Sequence, residues 1–355
     1  MSCMWAVHDV EVRADLRLAY VDAVNAVVVD TWGRTDFCRE ERELFAAGQD
    51  ERYEQRVRLV AVDDDGSPLG HAALELPRVD NTRTAYVEVG TVPAARGQGI
   101  GGALYGELVA RARRAGRTVL MASTDHPSEP HGAGTLAPPT GAGRVSTTAP
   151  GVSFALHRGF RLEQVERHSV LDVPLEVADH ADRTARAQAV AGDEYRVHTW
   201  SGATPAWWLD QMAVLHTRMS TDVPTAGLDW TEERWDAERV RDRDDEHARR
   251  GVGYLTAVVE HVPSATLVGY TSILTVPHTP LYVHQDDTLV LREHRGRHLG
   301  MLLKLANLAR LADEHPEARR VGTWNAQENS PMLAINVELG FRPAGGSGEW
   351  QLTLT

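Results

Sequence analysis

Two stretches far apart in the chain read almost alike: Arg96-Gly97-Gln98-Gly99-Ile100-Gly101 and Arg295-Gly296-Arg297-His298-Leu299-Gly300. Each follows an apolar run and leads into an amphipathic helical pattern. A glycine-rich turn between a strand and a helix, built twice with the same flanking elements, marks an internal duplication. It constrains the fold more than any composition statistic does. At 355 residues the chain also exceeds what one hydrophobic core usually supports. The expected organisation is a first domain over 1–173, a polar, alanine-rich linker over 174–193, and a second domain over 194–355.

Periodicity orders the elements within each half. The first half predicts a helix around Leu16–Trp32, then strands at Arg58–Val62, Leu69–Leu76 and Ala85–Val92, the last rich in β-favouring Tyr86, Val87, Val89 and Val92. The glycine turn follows, then a helix to about Ala115 with Gly116 as its stop, and a short strand at Thr118–Ser123. Residues 126–151, rich in Gly, Pro, Ser and Thr, read as a mobile loop. The second half repeats the order. It predicts helices at Trp207–Met219 and Thr231–Arg250, strands at Tyr254–Glu260, Leu267–Val276 and 287–291, the second turn, a helix over 301–314, a strand at Val321–Asn325 and a short helix at Pro331–Leu339.

Charge and cysteine content exclude several classes. A formal net charge of −13 argues against general nucleic-acid binding. It favours approach of cationic small molecules, or serves solubility alone. No apolar run is long enough for a membrane span, and MSCMWAVHDVEVR lacks the basic-then-apolar order of a secretion signal. Two cysteines, Cys3 and Cys38, build neither a disulfide scaffold nor a cysteine-rich metal site, which fits a reducing cytoplasm. No His, Asp or Glu spacing suggests a metal site. Lys304 is the only lysine among many arginines, which suggests GC-rich, actinobacterial coding.

The repeated turn has a physical use. It aims backbone N–H groups outward at the positive end of a helix dipole, which suits a phosphate or pyrophosphate. Gly97, Gly99 and Gly101 let the backbone approach an anion without a Cβ in the way, and Arg96 adds a cation at the rim. Residues 97–102, GQGIGG, also fit the dinucleotide fingerprint formally, with Asp125 near the place of a ribose-binding acid. That fold carries the motif at the start of a run of parallel units, however. Here several strands precede it with little helix between them, and the second copy does not fit the fingerprint.

R-x-x-G-x-G after a strand, then a helix, a short strand, a small helix and Gly-Phe resembles the coenzyme A loop of the GCN5-related N-acetyltransferases. The preceding VGTVP is typical of them, and the tandem arrangement is like that of mycothiol synthase-like actinobacterial acetyltransferases. The resemblance covers nearly the whole chain. It implies an α/β (α+β) fold of two domains, each a mixed, mostly antiparallel sheet flanked by helices. It implies acetyl-CoA as cofactor and a small-molecule amine as acceptor, for which the acidity of the chain favours a cationic one, with the protein a monomer or homodimer. Cofactor contacts fall by resemblance on Gly90, Thr91, Val92, Arg96, Gly97, Gln98, Gly99, Ile100, Gly101 and Gly102 in the first half. In the second they fall on Leu289, Val290, Leu291, Arg295, Gly296, Arg297, His298, Leu299, Gly300 and Asn329. His298 departs from the glycine of the motif, and could still offer its N–H at negative φ.

Acetyl transfer to an amine needs a base and usually a donor for the departing thiolate. Aligning Arg96 with Arg295 sets Glu88 opposite Asp287, each on the strand before its turn, where β-branched neighbours should raise a carboxyl pKa. The tyrosine that the family uses as its acid is replaced by Ala155 and Asn336, leaving water, Tyr282 or no enzyme group to protonate. Asn336 is a candidate for orienting a water or the acceptor, and Asp222 for contacting an amine. Lys304 reads as a solvated lysine within reach of a phosphate. His157 and the tryptophans read as structural. A coenzyme-binding sensor without catalysis, and a transferase for longer acyl-CoA, remain the alternatives.

Overall fold

The computed structural model describes residues 5–46 and 52–354; Cys3 lies outside them. The chain divides into two compact units. One comprises 1–166, 225–230 and 345–355, and the other 167–224 and 231–344.

The first unit opens with β1 (Trp5–Asp9), α1 (Arg17–Trp32) and α2 (Glu41–Phe45), followed by β2 (Glu54–Asp63), β3 (Pro68–Pro77) and β4 (Thr84–Thr91). Then come α3 (Ile100–Arg114), β5 (Val119–His126), the short β6 (Thr135–Leu136) and β7 (Val145–Ser146), α4 (Pro150–His157) and β8 (Arg161–Asp172), within which the unit boundary falls. Strands β1 to β4 pair antiparallel in chain order, and β4 then pairs parallel with β5. Alternation along β2 shows how both faces are covered. Leu59 and Ala61 join the core under α3, while Val60 and Val62 join Tyr20 and Val24 of α1.

The second unit contains α5 (Val177–Ala191), β9 (Tyr195–Ser201), α6 (Leu209–Asp222), α7 (Ala237–Arg250), β10 (Gly253–His261), β11 (Thr266–Thr275) and β12 (Tyr282–Val290). It continues with α8 (Leu299–Glu314), β13 (Arg320–Ala326), α9 (Ser330–Leu339) and the start of β14 (Arg342–Thr353). Strands β9 to β12 pair antiparallel, and β12 pairs parallel with β13. Leu255, Ala257 and Val259 face the core under α8, and Val258 faces Met212 and Leu215 of α6.

Three expectations change. Residues 174–193 belong to the second unit and are not a linker between domains. They form α5, capped by the Glu176 carboxylate accepting from the Asp179 N–H, with Ala187 and Ala191 buried in the second core. The loop 126–151 carries the β6–β7 hairpin, and its Val145 is fully buried. The division at 173/194 also misses a return of the chain: Gly346–Thr353 of β14 pairs antiparallel with β5 in the first unit. Trp350, wholly buried in that core, supplies the apolar reason.

Candidate active site

Both glycine turns end in a residue of left-handed conformation that starts a helix. Gly97 and Gly99 have φ of 78° and 84°, and Gly296 and His298 have 78° and 55°. His298 therefore keeps the shape of the turn by adopting positive φ, contrary to the expectation of negative φ. Histidine tolerates this region better than most residues, though not as well as glycine. No side chain caps α3 or α8. Their first-turn N–H groups, which have no partners within the helix, are not taken up by a capping side chain.

The motif arginines do not stand free at the rim. Arg96 pairs with Asp30 in the last turn of α1 at 2.6 Å. Arg295 pairs with Asp222, the last residue of α6, at 2.8 Å, and Arg292 reaches the same carboxylate at 3.3 Å. The two halves thus fasten their turns to the C-terminal end of an earlier helix, α1 or α6, in the same way. Asp222, expected as an acceptor contact, is only 9% exposed and is taken up by these arginines.

Beside each turn, a pair of parallel strands separates. The β4–β5 ladder runs only from Thr84 to Tyr86, and the β12–β13 ladder only from Tyr282 to Gln285. Gly90, Thr91 and Val92, and Leu289, Val290 and Leu291, lie beyond those ends. Their backbone is held on one side by β3 or β11. On the other side no strand pairs with them, which suits an extended ligand added as a strand, although the Val290 carbonyl already accepts from Arg295 Nε at 2.8 Å. The second turn also borders a cavity of about 520 Å³, lined in part by Arg183, Arg186, His298 and Met301.

The aligned carboxylates sit in different surroundings. Glu88 has a side chain 65% exposed to the cleft, and buried His71 meets it at 3.0 Å through Nε2. Desolvation pushes its pKa up, but the hydrogen bond and charge of His71 outweigh this and hold it below the usual value. The expected rise is absent there. Nearby Asp125 accepts from Trp32 Nε1 at 3.2 Å, and desolvation pushes its carboxyl up to about 6.

Asp287 meets the expectation. The register of β11 and β12 shifts between Thr271 and Ile273, so that Asp286 and Asp287 together face Ser272 in a bulge. Such an insertion re-aims side chains. Desolvation, then repulsion from Asp286, pushes Asp287 up to about 7, against the attraction of Arg243. The Tyr270 hydroxyl donates to Asp287 Oδ2 at 2.7 Å. Arg243 donates to Tyr254, which donates to Asp286. His71, Tyr254, Tyr270, His216, Arg243 and Asp286 went unread in the sequence. Nothing local to Tyr270 or His216 signals that β11 and α6 converge on β12; only the doubled acid at 286–287 hints at a special position.

Other candidates are relocated. Asn336 is buried, not on a helix surface, and donates to Asn325 Oδ1 at 2.6 Å. Asn329 caps α9 by accepting from the Met332 N–H at 3.4 Å. Tyr282 lies in the core bonded to His168 Nε2 at 2.7 Å, away from any donor role at the turn. Lys304 is 1% exposed, not solvated, with Nζ 5.7 Å from the Phe341 ring centre. His157 bonds back to the Ser153 carbonyl, as a structural residue does. Trp200 is core, whereas Trp207 is exposed. Among the described residues no group of side chains forms a metal site, and no helix is long and apolar enough to cross a membrane.

The model of the acetyltransferase (GNAT) family matches residues 25–131. No curated protein matches the chain. Among solved structures, a tandem GNAT protein from the clavulanic acid biosynthesis pathway is 26% identical, with a TM-score of 0.76, over 99% of this chain and 98% of that one. A GCN5-related N-acetyltransferase from Sphaerobacter thermophilus is 14% identical, with a TM-score of 0.60, over 98% and 95%. The Saccharomyces cerevisiae N-myristoyltransferase with bound myristoyl-CoA shares the fold at 11% identity and a TM-score of 0.56, over 99% and 79%. Residues 25–131 thus form a GNAT-family acetyltransferase domain, and the chain as a whole is an acyltransferase of tandem GNAT fold.

Proposed function

We propose that the protein is an acetyl-CoA-dependent N-acetyltransferase whose acceptor is a small-molecule amine, acting in the cytoplasm. The observation that carries this reading is the pairing, in both units, of an uncapped glycine-turn helix with a separated pair of parallel strands. The turn N–H groups suit the pyrophosphate of coenzyme A, and the edges of β4 and β12 beyond their parallel ladders suit its pantetheine. Gly97, Gln98, Gly99, Ile100 and Gly101 would hold the first cofactor, and Gly296 to Gly300 with Asn329 the second. When bound, acetyl-CoA supplies an activated thioester acyl group.

The chain's own contribution is on the acceptor side. An amine arrives largely as ammonium and must lose a proton to become a nucleophile. A carboxyl of pKa about 7 is poised to take it near neutrality, so Asp287 is the base this reading assigns first and Glu88 the second. In each unit a pair of carboxyl groups near the strand before the turn, Glu88 with Asp125 in the first and Asp286 with Asp287 in the second, favours a cationic acceptor. A non-catalytic coenzyme sensor is the second reading. It is favoured by Asn336, which lies buried and tied to Asn325 where the family places a tyrosine.

The test is incubation with acetyl-CoA and a panel of mono- and polyamines while free thiol is followed. Amine-dependent thiol release supports the transferase. Calorimetric binding of coenzyme A with no turnover across the panel supports the sensor.

A further inference from the structure

Tyr270 is 1% exposed and stands between two acceptors. Its hydroxyl lies 2.7 Å from Asp287 Oδ2 and 3.2 Å from His216 Nδ1. Arg243 NH1 also lies 3.3 Å from that same Nδ1, and a guanidinium can only donate, so Nδ1 carries no proton. Burial, followed by the charges of Arg243 and Arg239, drives the His216 pKa well down and keeps the ring neutral. Burial and the charge of Asp287 drive the Tyr270 hydroxyl up, so it keeps its hydrogen.

A phenol has one hydrogen to give, and here it has two places to give it. When Asp287 is ionised, Tyr270 donates to the carboxylate and Arg243 serves His216. When Asp287 is protonated, its own O–H can donate to the phenol oxygen, and the Tyr270 hydrogen turns to His216 Nδ1. Nδ1 has one lone pair, so in the protonated state the Tyr270 hydrogen takes it in place of the Arg243 N–H, while Arg243 keeps its other bond to Tyr254. The Tyr270 hydroxyl has an acceptor in both states, which spares it the penalty of a buried unpaired donor. We infer that Tyr270 and His216 form a two-position hydrogen-bond switch that stabilises both protonation states of Asp287, making them positioning residues for the base of the second unit.

The other groups around the carboxyl leave the switch as the adjustable part. Asp286 on the same strand and Glu233 before α7 both repel the ionised form, while Arg243 on α7 attracts it. Tyr254 on β10 is driven well up and stays protonated, and His247 on α7 is driven down to about 4 and stays neutral near pH 7. In the catalytic step an N–H bond of the acceptor ammonium breaks and an O–H bond forms on Asp287, leaving the neutral amine. The carboxyl resets by releasing that proton to water. This rests on the reading of Asp287 as the acceptor-side base.

The two partners have opposite effects, which gives the test. Tyr270→Phe removes the donor to the ionised carboxylate, so the Asp287 midpoint should rise by about one pH unit. His216→Leu removes the acceptor that the hydroxyl needs when Asp287 is protonated, so the midpoint should fall. The readout is the pH titration of the protonated-carboxyl stretch in difference infrared spectra, assigned by its loss in Asp287→Asn, alongside the pH–rate profile. Opposed shifts support the switch; unmoved midpoints, or shifts of both variants in one direction, overturn it. Should circular dichroism show His216→Leu unfolded, Tyr270→Phe decides alone: an upward shift supports the switch, and no shift overturns it. Opposed spectroscopic shifts in a protein inactive toward every amine would defeat the acetyl-transfer reading while leaving the switch in place.

Discussion

At the scale of single residues, the two turns differ most at Gly99 and His298, which start α3 and α8 from the same left-handed conformation. An L side chain there is strained by roughly 1–2 kcal/mol. His298→Gly should therefore stabilise the second unit by about 1 kcal/mol, a rise of about 2–4 °C in Tm for a unit of this size. Calorimetric melting checks it, and an unchanged or lower Tm would show that the His298 ring contributes contacts that outweigh its backbone strain. The reverse substitution is harsher. Around Gly99 a Cβ would meet no atom within 4 Å, so space is not the difficulty; the positive φ is. Gly99→Val should lower stability and abolish coenzyme A binding at the first turn, because a β-branched residue would leave that conformation and carry the N–H groups with it. Calorimetric titration with an unchanged number of sites would refute it.

At the scale of elements, α8 is buried along most of its length, and that explains Lys304. Desolvation pushes its ammonium down to about 7, against an unfolded value near 10.5. Between these values the unfolded chain binds more protons than the folded one, so this group's contribution to stability rises as pH climbs from about 7 to 10.5 and is unfavourable below. Lys304→Met should stabilise the protein at pH 7 by a few kcal/mol, on the order of the shift itself, and should flatten the rise in stability above pH 7. Urea unfolding at pH 7 and 9.5 measures this, and a destabilised variant with the same pH slope would contradict it. Most other elements were legible because their cues are local, such as Val87 and Val89 alternating in β4 and Gly116 ending α3. The rest depended on distant partners. Nothing within 174–193 shows the surface against which Ala187 and Ala191 pack, and nothing in β14 shows that Trp350 fills the first unit. Lys304 was misread because a lysine in a helix is normally solvated, and only the neighbours of α8 remove the water.

At the scale of the whole molecule, the duplicated halves have kept different parts. The first unit has the all-glycine turn and is where the family model matches, but its Glu88 is held ionised by His71 and is a weak base. The second unit has a modified turn, yet its Asp287 is set near neutrality by the bulge in β12 and the network behind it. If proton removal from the acceptor limits turnover, the second unit should dominate the chemistry. Asp287→Asn should then lower kcat by about 10²–10⁴, the usual contribution of a general base, with the KM for acetyl-CoA nearly unchanged. Glu88→Gln should cost much less. The wild-type rate should rise through pH 7 as Asp287 ionises, and that ascending limb should vanish in Asp287→Asn. A large loss from Glu88→Gln with little from Asp287→Asn would assign the chemistry to the first unit instead. Equal partial losses would mean that both halves turn over. A profile without an ascending limb in wild type and both variants would mean that a pre-aligned amine attacks with no enzyme base, the rate then resting on proximity alone.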